Sequence, residues 1–359
     1  MSLTKCKVIG SNVSYETYSR QEENVSRGNP AFSMSRGELV NFAVNPRRWL
    51  DGYKAEQEAT KATEWGSLLD CLLTDGANFG ERYAVAPATY QSKGMKCPSC
   101  GSVTDSKSCR KCGEEREPIL IEKPWDGKAT ICKDWEEAQG AKQVIKAELK
   151  ADADKAVAAI QANPVTRELF EVSAKQVMVI GFWKDEATGI EVPMRCLIDC
   201  LPPVDHENFR KWIVDSKTAR DGNPSKWDAV IAKEAYDWQA AIILDLYTAA
   251  TSEERIDFIH VVQENVFPFH VVDPLPAMSV EFLDWGRAKY RAALRLYCQC
   301  LATNKWPSFA PVGLRLGLTQ IISPDNVWAY KSLAGMAEFR RPEDPYENRP
   351  EPKPSEMPS

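Results

Sequence analysis

Two apolar runs sixteen residues apart, each closed by an aspartate, limit the fold of this chain more than any other feature. The first is RCLIDCLPP from Arg195, ending its apolar part at Asp199; the second is WIVDSKTA, with Asp215 and then Lys217. In a strand, residues i and i+2 point to one face. Asp215 and Lys217 are therefore expected side by side, roughly 7 Å apart at their Cα atoms by the strand rise. A hairpin would bring Asp199 alongside them. Two carboxylates and an ammonium on one sheet face make a place for a hard divalent cation and a positioned water.

The flanking sequence sorts by period. From residue 33, SRGELVNFAVNPRRWL reads as a helix with Ser35 as N-cap and Glu38 at its third position, limited by Pro46. TEWGSLLDCLLTDG follows helical spacing through Trp65, Leu68, Leu69 and Leu72, stopping near Gly76. Gly66 in that helix suggests close approach of another backbone. Asp70 lies one turn beyond it; by position alone it is an exposed carboxylate at the helix edge. Residues 133–163 read as one helix ending at Pro164. Two strands then follow, joined by a turn at Asp185–Gly189, and WIVDSK ends a third. KWDAVIAKEAYDWQAAIILDLYTAA reads as one long helix in which Tyr236, Gln239, Ile243 and Tyr247 share a face. RIDFIHVVQE and FPFHVVD read as two further strands, and the segment from 279 to 306 as the last helix. Residues 1–32 have no clear period and read as a loose arm. The segment from about 340 is proline-rich and charged, and reads as disordered.

One segment departs in composition. Cys97, Cys100, Cys109 and Cys112 form CxxC, eight residues, CxxC, with Gly101 and Gly113 just after each pair. Four thiolates at that spacing suit one tetrahedral ion, and zinc above others. All four positions would be filled by protein, so the ion would be structural; the segment has almost no core, and the metal would supply its fold. Lys107, Arg110 and Lys111 lie on it, available to DNA or a protein partner.

The net charge of −6 argues against indiscriminate coating of nucleic acid, but not against local phosphate contacts. No apolar run approaches the roughly 18 residues of a membrane span, and the first residues lack the apolar core of a signal peptide. A cytoplasmic location is expected, with the eleven cysteines serving as metal ligands and buried thiols rather than a disulfide frame. There is no GxxxxGK[ST] loop, which speaks against ATP hydrolysis. His260 sits in an apolar strand and reads as structural.

In this order, the first helix, RCLIDCLPP, IVDSKTA and YDWQAA resemble the PD-(D/E)XK nuclease superfamily, and within it the RecE-type (exonuclease VIII-like) branch of phages and prophages. The resemblance covers roughly residues 33–90 and 165–305. It implies an α/β (α+β), restriction-endonuclease-like core: a central mixed sheet flanked by helices, here with a small zinc-ribbon-like insertion. The expected organisation is an arm at 1–32, a helical part at 33–90, the zinc knuckle at 91–118, the nuclease core at 119–305 and a C-terminal segment at 306–359. By resemblance Asp199 and Asp215 are the motif carboxylates, Lys217 the motif lysine, and Gln239 and Tyr236 the pair on the following helix. Asp70 falls where many relatives carry a metal-reaching histidine, which leaves two options: ligation by the carboxylate, or loss of that contact. The backbone carbonyl of Ser216 would add a ligand. The implied activity is a Mg²⁺- or Mn²⁺-dependent DNA exonuclease resecting duplex ends 5′ to 3′. Its 3′ single strands would pass to a phage annealing protein in the bacterial host cytoplasm. Such relatives tend to form rings, so a homo-oligomer is implied as well. The alternatives are an endonuclease or single-strand nuclease on the same core, and an inactive zinc-containing DNA-binding recombination accessory.

Overall fold

The computed structural model describes residues 2–22, 25–52, 61–273 and 277–308. The chain forms two compact units, one comprising Met1–Asp75 with Ala159–Ser359, the other Gly76–Ala158. The second unit reaches well beyond the 91–118 insertion expected from the cysteines. The disorder expected from about 340 lies outside the described residues.

The first unit opens with β1 (Ser2–Gly10) and α1 (Tyr15–Ser19). It continues with α2 (Arg36–Val44), α3 (Pro46–Leu50) and α4 (Lys61–Thr74). The Ser35 hydroxyl accepts from the Glu38 amide and starts α2. Asn45 caps the next helix by accepting from Arg48, just where Pro46 fills the first turn.

In the second unit α5 (Phe79–Arg82), β2 (Tyr83–Val85), β3 (Thr89–Lys96), β4 (Val103–Thr104) and β5 (Glu117–Pro124) come first. Then come α6 (Thr130–Ala138), β6 (Gln143–Ile145) and α7 (Ala147–Ala162), the last running out into the first unit. The single helix expected over 133–163 is thus two helices and a short strand. Gly140, at φ +66°, occupies the left-handed region just past α6. Strands β3 and β5 pair antiparallel over their full length, with β4 on the other edge of β3.

The first unit resumes with α8 (Pro164–Val172), β7 (Ala174–Lys184), β8 (Glu191–Leu201) and β9 (Trp212–Ala219). It closes with α9 (Pro224–Lys233), α10 (Tyr236–Thr251), β10 (Asp257–Glu264) and α11 (Val280–Thr303). Its sheet has the order β1-β7-β8-β9-β10; β1, β7, β8 and β9 are antiparallel in turn, while β9 and β10 run parallel. The protein is therefore mixed α/β, with a central mixed sheet flanked by helices. Residues 2–10, expected as part of a loose arm, instead form an edge strand. Two register shifts against β7 and Lys5 at φ +52° break the alternation that would have marked it. FPFHVVD contributes only an isolated bridge, Gln263 to Val271, rather than a strand. The expected long helix is split: Ala235 takes a left-handed conformation (φ +54°) between α9 and α10, and the Arg36 guanidinium donates to the Glu234 carbonyl there.

Packing on one side of the sheet joins Ile213, Phe258 and Val262 to the buried residues of α2, α10 and α11. On the other, Leu169 of α8 meets Cys200, Phe209, Val214, Ile259 and Val261. Trp49, fully buried, takes edge contacts from Phe32, Phe42 and Tyr297. Gly66 does not admit a backbone: a Cβ there would meet only the Thr218 hydroxyl at 3.6 Å, an ordinary contact. The tight approach is at Gly286 of α11, where a Cβ would collide with the Asp237 carbonyl of α10. Beside it Asp237 and Lys289 form a buried ion pair between the two helices. Among the described residues no helix is long and apolar enough to cross a membrane.

Gly286→Ala should lower the unfolding free energy by roughly 1–3 kcal/mol through forced separation of α10 and α11. A urea midpoint equal to wild type would refute that crossing.

Candidate active site

Strand β8 is paired on one edge by β7 along its whole length, while among the described residues its other edge is met at two places, near Met194 and at Cys200. Met34 bridges Met194, exchanging bonds with Pro193 and Arg195, and Val214 of β9 pairs with Cys200. Between these points β8 and β9 splay apart. Continuing the Cys200–Val214 register by one residue sets Asp199 opposite Asp215, so both carboxylates lie on one face of the sheet. The Ser216 amide, which has no β8 carbonyl to reach, donates to Asp199 Oδ2 at 2.9 Å. The N–H and C=O of one strand residue point to the same edge. The Ser216 carbonyl therefore faces the same opening.

Asp215 is buried and heavily engaged. The Gln239 amide of α10 donates to its Oδ1 at 2.8 Å, and Lys217 pairs with its Oδ2. The break at Ala235 makes this reach straightforward, because it starts α10 at Tyr236 and puts Gln239 one turn in. The Lys217 ammonium also lies 4.7 Å from the centre of the Tyr236 ring, and the Arg36 guanidinium 5.6 Å from it. Burial alone would lower the Lys217 pKa, but the charges of Asp215, Tyr236 and Asp199 outweigh it and hold the group above its ordinary value. Lys217 is thus a cation at neutral pH. The Asp199 pKa is pushed well up, first by burial and then by the charges of Asp215 and Asp70. That repulsion places Asp70 within electrostatic reach of the pair. Its carboxylate also receives long contacts from Thr74 and Gln176, both at 3.4 Å.

The structure therefore brings Asp70, Asp199, Asp215, Ser216, Lys217, Tyr236 and Gln239 to one place. It adds a residue that, from the sequence alone, is expected to be structural. His260 of β10 stands beside Asp215 in the parallel register, fully buried. Trp227 Nε1 donates to His260 Nδ1 at 3.2 Å, which leaves the ring proton on Nε2, 3.9 Å from Asp215 Oδ2. Burial lowers the His260 pKa to about 4, despite the pull of Asp215. The only signal in the sequence was one polar residue inside an apolar run, and the parallel register that gives it meaning cannot be read from the chain.

The second unit holds the other cluster. The Sγ atoms of Cys97, Cys100, Cys109 and Cys112 lie within 4.8 Å of one another. The separations are 3.3 Å for Cys97–Cys112, 3.5 Å for Cys100–Cys109 and 3.8 Å for Cys100–Cys112. A tetrahedron with metal–sulfur bonds near 2.3 Å has edges of about 3.8 Å, so the four thiols are gathered closely enough to hold a zinc ion. Both halves fold alike. Gly101 N–H donates to Cys97 and Gly113 N–H to Cys109, each glycine at positive φ. The Ser102 hydroxyl lowers the Cys100 pKa and takes Cys109 down to about 5, while hydrogen bonding with Cys97 raises Cys112 to about 12. Thiols this close share protons, and a cation would release them.

Residues 35–310 match the sequence profile of a family described as PDDEXK-like domain of unknown function (DUF3799). No curated protein matches the chain. Among solved structures it is similar to a "Putative exonuclease" from Eubacterium rectale. The identity is 14% and the TM-score 0.45, over 89% of this chain and 98% of that one. It is also similar to Candida albicans Rai1 in complex with pU5-Mn2+. There the identity is 12% and the TM-score 0.25, over 82% of this chain and 87% of that one.

His260 makes a pH prediction. Between its ordinary value of 6.5 and about 4, the unfolded chain binds a proton that the folded protein refuses. Stability is therefore lost as pH falls through that window, by on the order of 3 kcal/mol. Asp199, raised, acts in the opposite sense. The advantage of wild type over His260→Gln in urea unfolding should shrink from pH 6.5 to 4; parallel curves would contradict a neutral buried imidazole.

Proposed function

This chain belongs to the PDDEXK-like DUF3799 family, and from that premise we propose that it is a divalent-metal-dependent deoxyribonuclease. The observation that carries the reading is the opening between β8 and β9. There Asp199 and Asp215 share one face, with the Lys217 ammonium and the Gln239 amide already on Asp215.

Asp199, Asp215 and Asp70, with the Ser216 carbonyl, would hold Mg²⁺ or Mn²⁺. The raised pKa of Asp199 supports this, since acids that repel one another gain from a cation between them. When bound, the ion neutralises the scissile phosphate and lowers the pKa of a water. Lys217 orients the attacking water and stabilises negative charge on the phosphate. As a cation it is a donor rather than a base. Gln239 fixes one oxygen of Asp215 and leaves the other to Lys217. Tyr236 walls the ammonium on one side. His260 presses its Nε2 side toward the same carboxylate from β10.

The finer reading is an exonuclease that resects linear duplex 5′ to 3′, leaving 3′ single strands for a phage annealing protein, in the bacterial cytoplasm and as a homo-oligomer. The likeness of the motif order to RecE-type enzymes supports it. The four cysteines hold a structural zinc ion, supported by the close gathering of their thiols.

With Mg²⁺, the purified chain should degrade linear duplex and spare a covalently closed circle. Lys217→Ala and Asp215→Ala should each lower the rate at least about 10²-fold. Equal rates in all three proteins would end the assignment, and cutting of the circle would make it an endonuclease. Strand polarity follows from which end label is released first. Elemental analysis should find one zinc per chain, lost in Cys109→Ser together with the protease resistance of residues 89–124. A full zinc complement in that variant would contradict the four-thiolate site.

A further inference from the structure

Past Glu264 the chain doubles back on β10. Glu264 N–H donates to the His270 carbonyl at 2.8 Å, and Val272 N–H donates to Val262 at 2.9 Å. Phe269 N–H closes the turn on the Val266 carbonyl at 2.7 Å. The base of this turn is fastened on three sides. Asn265 N–H donates to the Ala219 carbonyl at the end of β9, and Gly222 N–H to the Glu264 carboxylate. Phe269, itself buried, stacks on Trp65 of α4 with ring centres 5.5 Å apart and planes 17° off parallel. Gln263 donates to the Phe269 carbonyl from within the core.

The tip that these contacts hold is apolar and stands in water. Phe267 is 79% exposed, the highest of any large apolar side chain among the described residues, and Val266 beside it is 43% exposed. Burying such a ring is worth roughly 1.5–3 kcal/mol, which this fold forgoes. Its neighbours give the reason. Ala219, to which the turn is tied, lies two residues beyond Lys217 on β9. Trp65, on which the turn rests, is followed one turn later on α4 by Leu69 and Asp70. The tip therefore rises at the rim of the candidate active site, at the end of β9 past Lys217. It carries no cation, so its chemistry suits the face of a nucleobase rather than a phosphate.

We propose that Phe267 stacks on an unpaired nucleobase of the DNA strand that enters the site, holding the end of the duplex open beside Lys217. This rests on the deoxyribonuclease reading and adds a substrate contact to it. A stacked base–aromatic pair is commonly worth a factor of about 5–150 in affinity.

The test compares wild type with Phe267→Leu, which keeps apolar bulk without an aromatic face, and with Phe267→Trp. The probe is linear duplex bearing 2-aminopurine at the terminal nucleotide. Wild type and Phe267→Trp should quench the probe on binding. Phe267→Leu should not, and its KM for duplex should rise about 5- to 150-fold with a smaller change in kcat. Wild-type cleavage together with an unchanged KM and unchanged quenching in Phe267→Leu would overturn the stacking alone. The same would follow if Phe267→Leu changed only the sedimentation of the protein, which would mark the tip as a contact between copies. A wild-type protein that cleaves no DNA would overturn the nuclease reading, and this inference with it.

Discussion

The hydrogen bond from the Ser216 amide to Asp199 is the contact on which the site depends. It exists because β8 and β9 stop pairing just past Cys200 and Val214. An amide at the parting of two strands needs an acceptor, and a carboxylate meets that need better than water does in a half-buried crevice. The same parting points the Ser216 carbonyl into the opening and sets two acids face to face. Everything else nearby serves to keep those acids tolerable: an ammonium, an amide and a neutral imidazole surround Asp215, and the protonation equilibrium of Asp199 shifts upward. A region of the sheet that would otherwise be filled by ladder hydrogen bonds is held open and acidic.

Much of this is legible in the sequence. Asp215 and Lys217 share a face because strand periodicity is two, and that holds wherever the strand lies. Gln239 sits among AAII, where a buried amide must find a partner. The start of α2 was legible from Ser35 and Glu38, since capping is local chemistry. The four cysteines announce a cluster through spacing alone.

What could not be read is non-local. The meaning of His260 depends on the parallel register of β10 against β9, and no residue of the chain states that register. Strand β1 hides because its shifts against β7 destroy the alternation. The break at Ala235 hides because an alanine in the left-handed region leaves no compositional trace; Arg36, almost two hundred residues away, helps to hold it. Residues 133–163 read as one helix because Ala, Lys and Glu dominate them, yet tertiary pairing with β2 extracts a three-residue strand.

Parallel pairing of β9 with β10 also orders the site in time. The two strands are separated by residues 220–256, which hold α9 and α10. Asp215 therefore leaves the ribosome well ahead of both the amide and the imidazole that accompany it. A nascent chain that has made only β8 and β9 has its acids but neither Gln239 nor His260 beside them. The full set of neighbours around Asp215 is assembled only once synthesis has passed the crossover and β10 has paired with β9.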